Sequence, residues 1–373
     1  MWPARAPAKE RLLSLDVHRG LCVIAMMLVD WTGTWDGRYA VFEHANWLGV
    51  TLPDFIFPSF LFIAGVAIAV SIDRDAPPGR LWRRVLRRSL LLFACGLALN
   101  VFWDWEPGVP LLPKLRIMGV LQRYALVYPA AVALHRALSR RQLMMIVAGI
   151  LVGYWLLVAF VPVPGFGAPD LTINPHGQAL TPTWATWLDE RVLGRHMAIF
   201  YPHDPEGLLT TLPSLATALI GVLAGSFWRH GPGSDEQRLN RLFAWGVGLL
   251  IAGELWSVAF PLGKKLWTSS FVLVTGGVAL LLLAALLLRL DLQKRRRFIA
   301  LPRWYGANAL VAIMAFTFLD NLLRVTGAKD GVFVLLCRLL PARDAAWVYS
   351  VLGILLLGLV FRELHRRRTF LRL

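Results

Sequence analysis

Apolar blocks of about twenty residues recur along this chain, and nearly all of its charges collect in the short stretches between them. About twenty residues of helix cross the roughly 30 Å apolar core of a bilayer. The pattern therefore predicts ten spans, near 18–36, 53–72, 85–103, 116–135, 142–161, 207–228, 241–260, 267–289, 304–323 and 345–362. GVFVLLCRLLP at 331–341 is too short to cross and is expected to lie at the interface or to re-enter. The expected fold is all-α: a polytopic membrane helix bundle of about ten transmembrane helices, one domain over residues 1–373. A long outer loop, 162–206, follows the fifth span. It opens on the Pro/Gly-rich VPVPGFGAPD, which cannot be helical, and carries Trp184, Trp187, His176, His196 and His203. Loops of this length usually bind or cover something.

Composition agrees: 57% of the 373 residues are hydrophobic, with 16 Trp and 20 Phe, too apolar for a soluble domain of this size. The net charge of +16 reads as membrane topology rather than nucleic-acid binding. On the ten-span reading, alternate loops hold well over twice as many Lys and Arg as the others, including Arg83, Arg84, Arg87, Arg88 and Lys294 to Arg297. The positive-inside rule then makes that side cytoplasmic, with the N-terminal segment 1–17 and the tail 363–373, and makes the span count even. The N-terminus has no apolar core before Gly20, so the first block is expected to be an uncleaved span. Cys22, Cys95 and Cys337 show no metal or redox spacing, and there is no HExxH, so no metal is expected.

The polar residues at the lips of the apolar blocks carry the candidate chemistry. FEHANWLGVTLPDFIFP, residues 42–58, sets His44 and Asp54 at the outer end of the second span. An imidazole exchanges protons near neutral pH, and a carboxylate beside it orients the ring and raises its basicity. His44 alone also reads as a solvated loop histidine, and Asp54 as a helix-start carboxylate, with Thr51 or Asp54 the cap. Asp30 and Arg123 are charges inside spans, which are functional by default or paired, Arg123 with Asp30 or Glu254. Gln122 accompanies Arg123, and Arg116 snorkels to the interface. Asp16 and Arg19 are three apart and pair along a helix. In HDPEGLLTTLPS, residues 203–214, Asp204 and Glu206 read as helix starters and Pro213 as a kink. The pairs Gly149/Gly153 and Gly221/Gly225 fit close helix contact and permit a homodimer.

SLDVHRGLCVIAMMLVD and FEHANWLGVTLPDFIFPSFLFIAGVAI resemble the heparan-alpha-glucosaminide N-acetyltransferase family and its bacterial NagX-like relatives. RIMGVLQRYALVY, HDPEGLLTTLPSLATALIGVLAG, GKKLWTSSFVL and YGANAL extend the resemblance in order from residue 14 to about 323. It implies transfer of an acetyl group from cytosolic acetyl-CoA, as co-substrate, to the amino group of a glucosamine-type sugar across the membrane. His44 takes the place of the family's catalytic histidine, with Asp54 and Asp30 as further catalytic residues; Asp30 stands where relatives have Asn, and His18 where they carry an aromatic residue. Arg19, Arg116, Gln122, Arg123, Lys264, Lys265 and Asn308 are expected to bind substrate or acyl-CoA. The bacterial relatives imply a bacterial inner membrane, and the alternative they leave is a transporter of N-acetylglucosamine or a related sugar.

Overall fold

The computed structural model describes residues 12–34, 39–74, 77–104, 115–171, 183–198, 204–367 and 369. His176 and His203 lie outside them. Thirteen α-helices form among the described residues: α1 (Leu13–Asp30), α2 (Ile56–Ser71), α3 (Pro78–Asp104), α4 (Val120–Ala137), α5 (Arg140–Phe160), α6 (Trp184–Val192), α7 (Thr211–His230), α8 (Asp235–Ser257), α9 (Ser269–Leu286), α10 (Ala300–Ala307), α11 (Ala309–Val325), α12 (Ala328–Cys337) and α13 (Ala342–Arg366). Their starts have local causes. Ser139 and Gln142 cap α5 reciprocally, as Ser234 and Gln237 cap α8. The first N–H groups of α1, on Leu13 and Ser14, donate to Asp291 at 3.0 and 3.2 Å.

α2, α7 and α9 pack on one another at the centre. Backbone contact between α2 and α7 requires glycine: a Cβ on Gly65 would sit 1.8 Å from Ala218 O, and one on Gly221 2.0 Å from Phe62 O. Gly221/Gly225 is thus used inside the bundle, whereas a Cβ on Gly149 or Gly153 of α5 would meet open space.

The structure corrects the span count. Among the described residues, six helices are long and apolar enough to cross a bilayer: Leu52–Ser71, Pro78–Phe102, Arg140–Phe160, Thr211–His230, Ser269–Leu292 and Ala342–Arg366. A seventh arises only if α10 and α11, bent by 90° at Asn308, form one broken span. About ten was too many, because an apolar block signals burial against protein as well as against lipid. α1 includes Asp16, Arg19 and Asp30; α4 includes Gln122, Arg123 and Arg136; α8 includes Asp235, Glu236, Arg238, Arg241 and Glu254. Each has the length of a span, but its charges dilute the apolar character that lipid demands. The expected short piece forms α12, which packs on α11 and α13. Pro213 falls in the first turn of α7, where the missing N–H is no loss, so it makes no mid-helix kink.

The three central helices run the same way. α2 begins just after Asp54, α7 just after the turn at Asp204–Gly207 and α9 just after Lys264–Trp267; they end near Arg74, Arg229 and Arg289. At that second end, arginines cap the C-termini of α7 and α2, Arg140 Nη2 donating to Ser226 O at 2.8 Å and Arg229 to Val70 O, while Arg136 Nε donates to Arg74 O at 3.1 Å in the turn beyond α2. Arg83, Arg84, Arg87 and Lys294 to Arg297 are exposed. The sixteen residues of α2, about 24 Å of helix, separate this basic rim from the end that holds His44.

Gly65→Ala must push α2 away from α7 and is expected to cost about 1–3 kcal/mol, lowering the melting temperature in detergent. Gly149→Ala on the open face of α5 should leave it unchanged or higher. Equal melting temperatures for the two variants would contradict the close α2–α7 contact.

Candidate functional site

The HANWLG loop is strapped to the turn that precedes α9. Gly49, at φ +90°, donates its N–H to Leu262 O at 2.6 Å, and Lys265 donates to Asn46 O. Trp47 is buried against Ala185 and Leu266, and its Nε1 donates to Leu171 O at 3.2 Å. That acceptor follows the Pro/Gly-rich VPVPGFGAPD stretch, which turns tightly through a Val163–Gly167 bridge rather than forming helix.

Asp54 is wholly buried in a short 3-10 turn, Leu52–Phe55, that leads into α2. Its Oδ2 accepts the N–H groups of Thr51 (2.9 Å) and Ala45 (3.2 Å) and faces Thr51 Oγ1 at 3.0 Å, completing a capping box. Its Oδ1 lies 2.7 Å from His44 Nδ1. The helix-start and ring-orienting readings of Asp54 therefore hold together. A carboxylate only accepts, so Nδ1 carries a proton, and in the neutral ring Nε2 then holds the lone pair. The His44 side chain is 43% exposed, so that lone pair is reachable from outside. Lys264 Nζ lies 3.0 Å from Nδ1, 3.4 Å from Nε2 and 3.5 Å from Asp54 Oδ1, so one cation borders both the ring and the carboxylate that holds it. Burial pulls the neighbouring Lys265 amine down to about 8, with Asp54 opposing and Lys264 adding to the fall.

A second cluster holds the HDPEG turn. Arg116 grips Asp204 with two nitrogens, Nε–Oδ2 at 3.0 Å and Nη2–Oδ1 at 2.5 Å, and also pairs with Glu206. Burial works against the Arg116 charge, yet the Glu206 and Asp204 carboxylates outweigh it and raise the guanidinium above its ordinary range. Arg123 is fully buried and pairs with neither Asp30 nor Glu254. Its Nη2 donates to Thr210 Oγ1 and to Pro205 O at 3.1 Å, while its face lies 4.9 Å from the Trp267 ring and 6.0 Å from Phe57. Arg123 Nε and Nη1, and Gln122 Nε2, are buried with no partner among the described residues. Asp189 Oδ1 accepts Leu208 N–H at 2.9 Å, and its Oδ2, with no partner among the described residues, lies against Gly207.

The predicted residues thus divide. His44, Asp54, Lys264 and Lys265 meet in one cluster, and Arg116 and Arg123 in the next, with Gln122 beside Arg123 on α4. Asp30 ends α1 and is not a partner of His44 or Asp54. Arg19 lies 3.7 Å from Asp16 as expected, near the start of α1. Asn308 is at the α10–α11 break, where its Nδ2 donates to Thr369 O at 3.2 Å. α10 packs on that first half of α1, so Arg19 and Asn308 sit away from the His44 cluster. Asp204 and Glu206, read as helix starters, are instead the partners of Arg116. The Thr51-x-x-Asp54 spacing signalled the capping box; nothing local signalled Asp189.

Burial pushes the Asp189 carboxyl up to about 6, with Asp204 adding to the rise and Leu208 N–H and Arg123 opposing it. The folded state therefore holds this proton after the unfolded chain, at about 3.8, has lost it. Its contribution to stability is present below about 3.8 and is lost as pH rises through about 6. Relative to the parent, Asp189→Asn should gain about 1–3 kcal/mol between pH 4 and pH 7.5. A stability difference that does not change with pH would contradict this.

Comparison with known proteins follows the same residues. Residues 11–252 match the family described as heparan-alpha-glucosaminide N-acetyltransferase, catalytic. The human heparan-alpha-glucosaminide N-acetyltransferase is 29% identical over 361 residues, covering 83% of this chain and 53% of the relative. The mouse protein of the same name is 28% identical over 368 residues, covering 85% and 55%. The chain spans about half the length of these curated relatives. Both are mammalian, which overturns the bacterial inner membrane expected above. A basic rim orients a chain in whatever membrane holds it and does not say which membrane that is. The match over residues 11–252 takes in both the His44–Asp54 pair and the Arg116–HDPEG cluster, and the chain belongs to the heparan-alpha-glucosaminide N-acetyltransferase catalytic family.

Proposed function

We propose that the chain transfers an acetyl group from acetyl-CoA to the amino group of a glucosamine-type sugar within a membrane, at His44. The observation that carries this reading is the pair itself: a buried, fully hydrogen-bonded Asp54 holding Nδ1 at 2.7 Å and leaving Nε2 reachable. An amino sugar is protonated near neutral pH, and only its free amine attacks a thioester. His44 Nε2 takes one proton from the ammonium. The nitrogen lone pair then attacks the thioester carbonyl carbon, giving a tetrahedral oxyanion. As the carbon–sulfur bond breaks, CoA leaves as thiolate and takes the proton from the imidazolium, while the new amide nitrogen releases its second proton to solvent. The same lone pair serves if the acetyl group passes first to the imidazole and then to the amine.

Charge around the pair suits this chemistry. Asp54 stabilises the imidazolium, and Lys264, 3.4 Å from Nε2, puts a cation where an oxyanion develops. The N-termini of α2, α7 and α9 point toward the same end and add partial positive charge. Arg116 and Arg123 act by fixing the turn before α7, and the spare donors of Gln122 and Arg123 serve the acyl group. The exposed Arg83, Arg84, Arg87 and Lys294 to Arg297 attract the phosphates of CoA at the opposite rim.

In proteoliposomes supplied with labelled acetyl-CoA and glucosamine, His44→Ala is expected to lower transfer about 100-fold or more, with acetyl-CoA binding retained. Asp54→Asn should lower kcat by a similar factor while moving the KM for acetyl-CoA little. Transfer by His44→Ala within a few-fold of the parent would remove His44 from the reaction.

A further inference from the structure

Two residues before His44 the chain forms one wall of a cleft that the transfer chemistry does not use. The cleft, a wide-open groove of about 460 Å³, lies between the short turn Ala40–Phe42 and the start of α13; Tyr39, Val41, Phe42, Asp344, Trp347 and Val348 line it. The Phe42 and Trp347 rings meet edge to face at 4.6 Å, and Tyr39 Oη donates to Asp344 Oδ1 at 2.6 Å. A small pocket of about 10 Å³ shares Tyr39, Phe42 and Trp347 with the cleft and reaches Thr32, with Arg343 also on its lining. Thr32 is only 5% exposed, and its hydroxyl has no partner among the described residues.

These groups match one ligand chemistry. A pyranose ring has a flat apolar C–H face that packs on aromatic rings, and an edge of hydroxyls that need donors and acceptors. A space of about 10 Å³ takes a single water-sized group, such as one sugar hydroxyl, and the Thr32 hydroxyl is placed to pair with it. Asp344 answers further hydroxyls or an ammonium, and Arg343 an acidic substituent. A lipid chain would leave the buried Thr32 hydroxyl unpaired and gain nothing from the two charges. From Phe42 to His44 is two residues, at most about 7 Å of chain.

We infer that the Tyr39–Phe42–Trp347 cleft is the saccharide subsite of the acceptor, holding the sugar ring on aromatic faces with one hydroxyl against Thr32 so that the amino group reaches His44. This deepens the acetyl-transfer reading and, as a placement of the acceptor relative to His44, rests on it.

The test uses the full chain in proteoliposomes, with glucosamine and a disaccharide ending in glucosamine as probes. Calorimetric titration of the disaccharide without acetyl-CoA runs beside acceptor and acetyl-CoA kinetics. Trp347→Ala should raise both the acceptor KM and the disaccharide Kd about ten-fold, a loss of about 1.4 kcal/mol. Thr32→Val, of the same shape, should raise them about five-fold, and the acetyl-CoA KM should stay within about two-fold in both variants. Retained acetyl-CoA binding checks that each variant is folded. Parental acceptor KM and Kd in both variants would overturn the subsite, as would displacement of the disaccharide by phospholipid but not by glucosamine. If the parent transfers no acetyl group yet binds the disaccharide in a way that Trp347→Ala abolishes, the transfer reading fails and the saccharide site stands. If the parent neither transfers nor binds, both fall.

Discussion

One buried carboxylate joins the fold of this protein to its candidate site. Asp54 Oδ2 closes the turn that starts α2, taking N–H groups from Thr51 and Ala45, while Oδ1 holds His44 by Nδ1. A lone buried carboxylate is costly unless its lone pairs are met, and here each oxygen is. The interactions that satisfy Asp54 are also those that set the direction of the imidazole. The ring is thus positioned by the same contacts that begin a central helix, and a loop histidine acquires the rigidity of a helix start.

The remaining architecture keeps that helix start in place. α2 and α7 touch through glycine, so their N-terminal ends arrive together, and the turn 263–268 delivers Lys264 and Lys265 at the start of α9. Trp267 anchors this turn: its Nε1 donates to Thr217 Oγ1 at 3.1 Å, and its ring packs on Phe57 and beneath Arg123. Arg123 and Arg116 in turn hold the HDPEG segment that leads into α7. Three helix starts are therefore fastened to one another by polar contacts at a single end, while arginines cap helix C-termini at the other.

Much of the site was legible in the amino-acid sequence because its members lie close together. His44, Asp54 and the Thr51-x-x-Asp54 cap fall within eleven residues at the lip of an apolar block, where imidazole and carboxylate are hard to explain otherwise. Long-range partners were less legible. Arg116 and Asp204 are 88 positions apart, and each has a plausible local role, as a snorkelling cation and a helix starter. Asp30 joins the site as a charge inside an apolar block and Asn308 by resemblance; the fold sends Asn308 to the far half of α1 and gives His44 and Asp54 other partners. The number of spans was misread for a physical reason. Apolarity in α1 and α4 serves burial between helices, whereas α8 keeps much of its apolar surface exposed; in all three, the charges they carry dilute the apolar character that lipid demands.

The central claim is that Asp54 fixes one tautomer of His44, and the nitrogen NMR spectrum of the imidazole reads it directly. With ring-labelled histidine in detergent-solubilised protein, the resonances lost in His44→Ala identify this residue. At a pH where the ring is neutral, the account predicts a protonated Nδ1 and an unprotonated Nε2, a state that Asp54→Asn abolishes. A proton resident on Nε2 in the parent, or a mixture unaffected by Asp54→Asn, would contradict it.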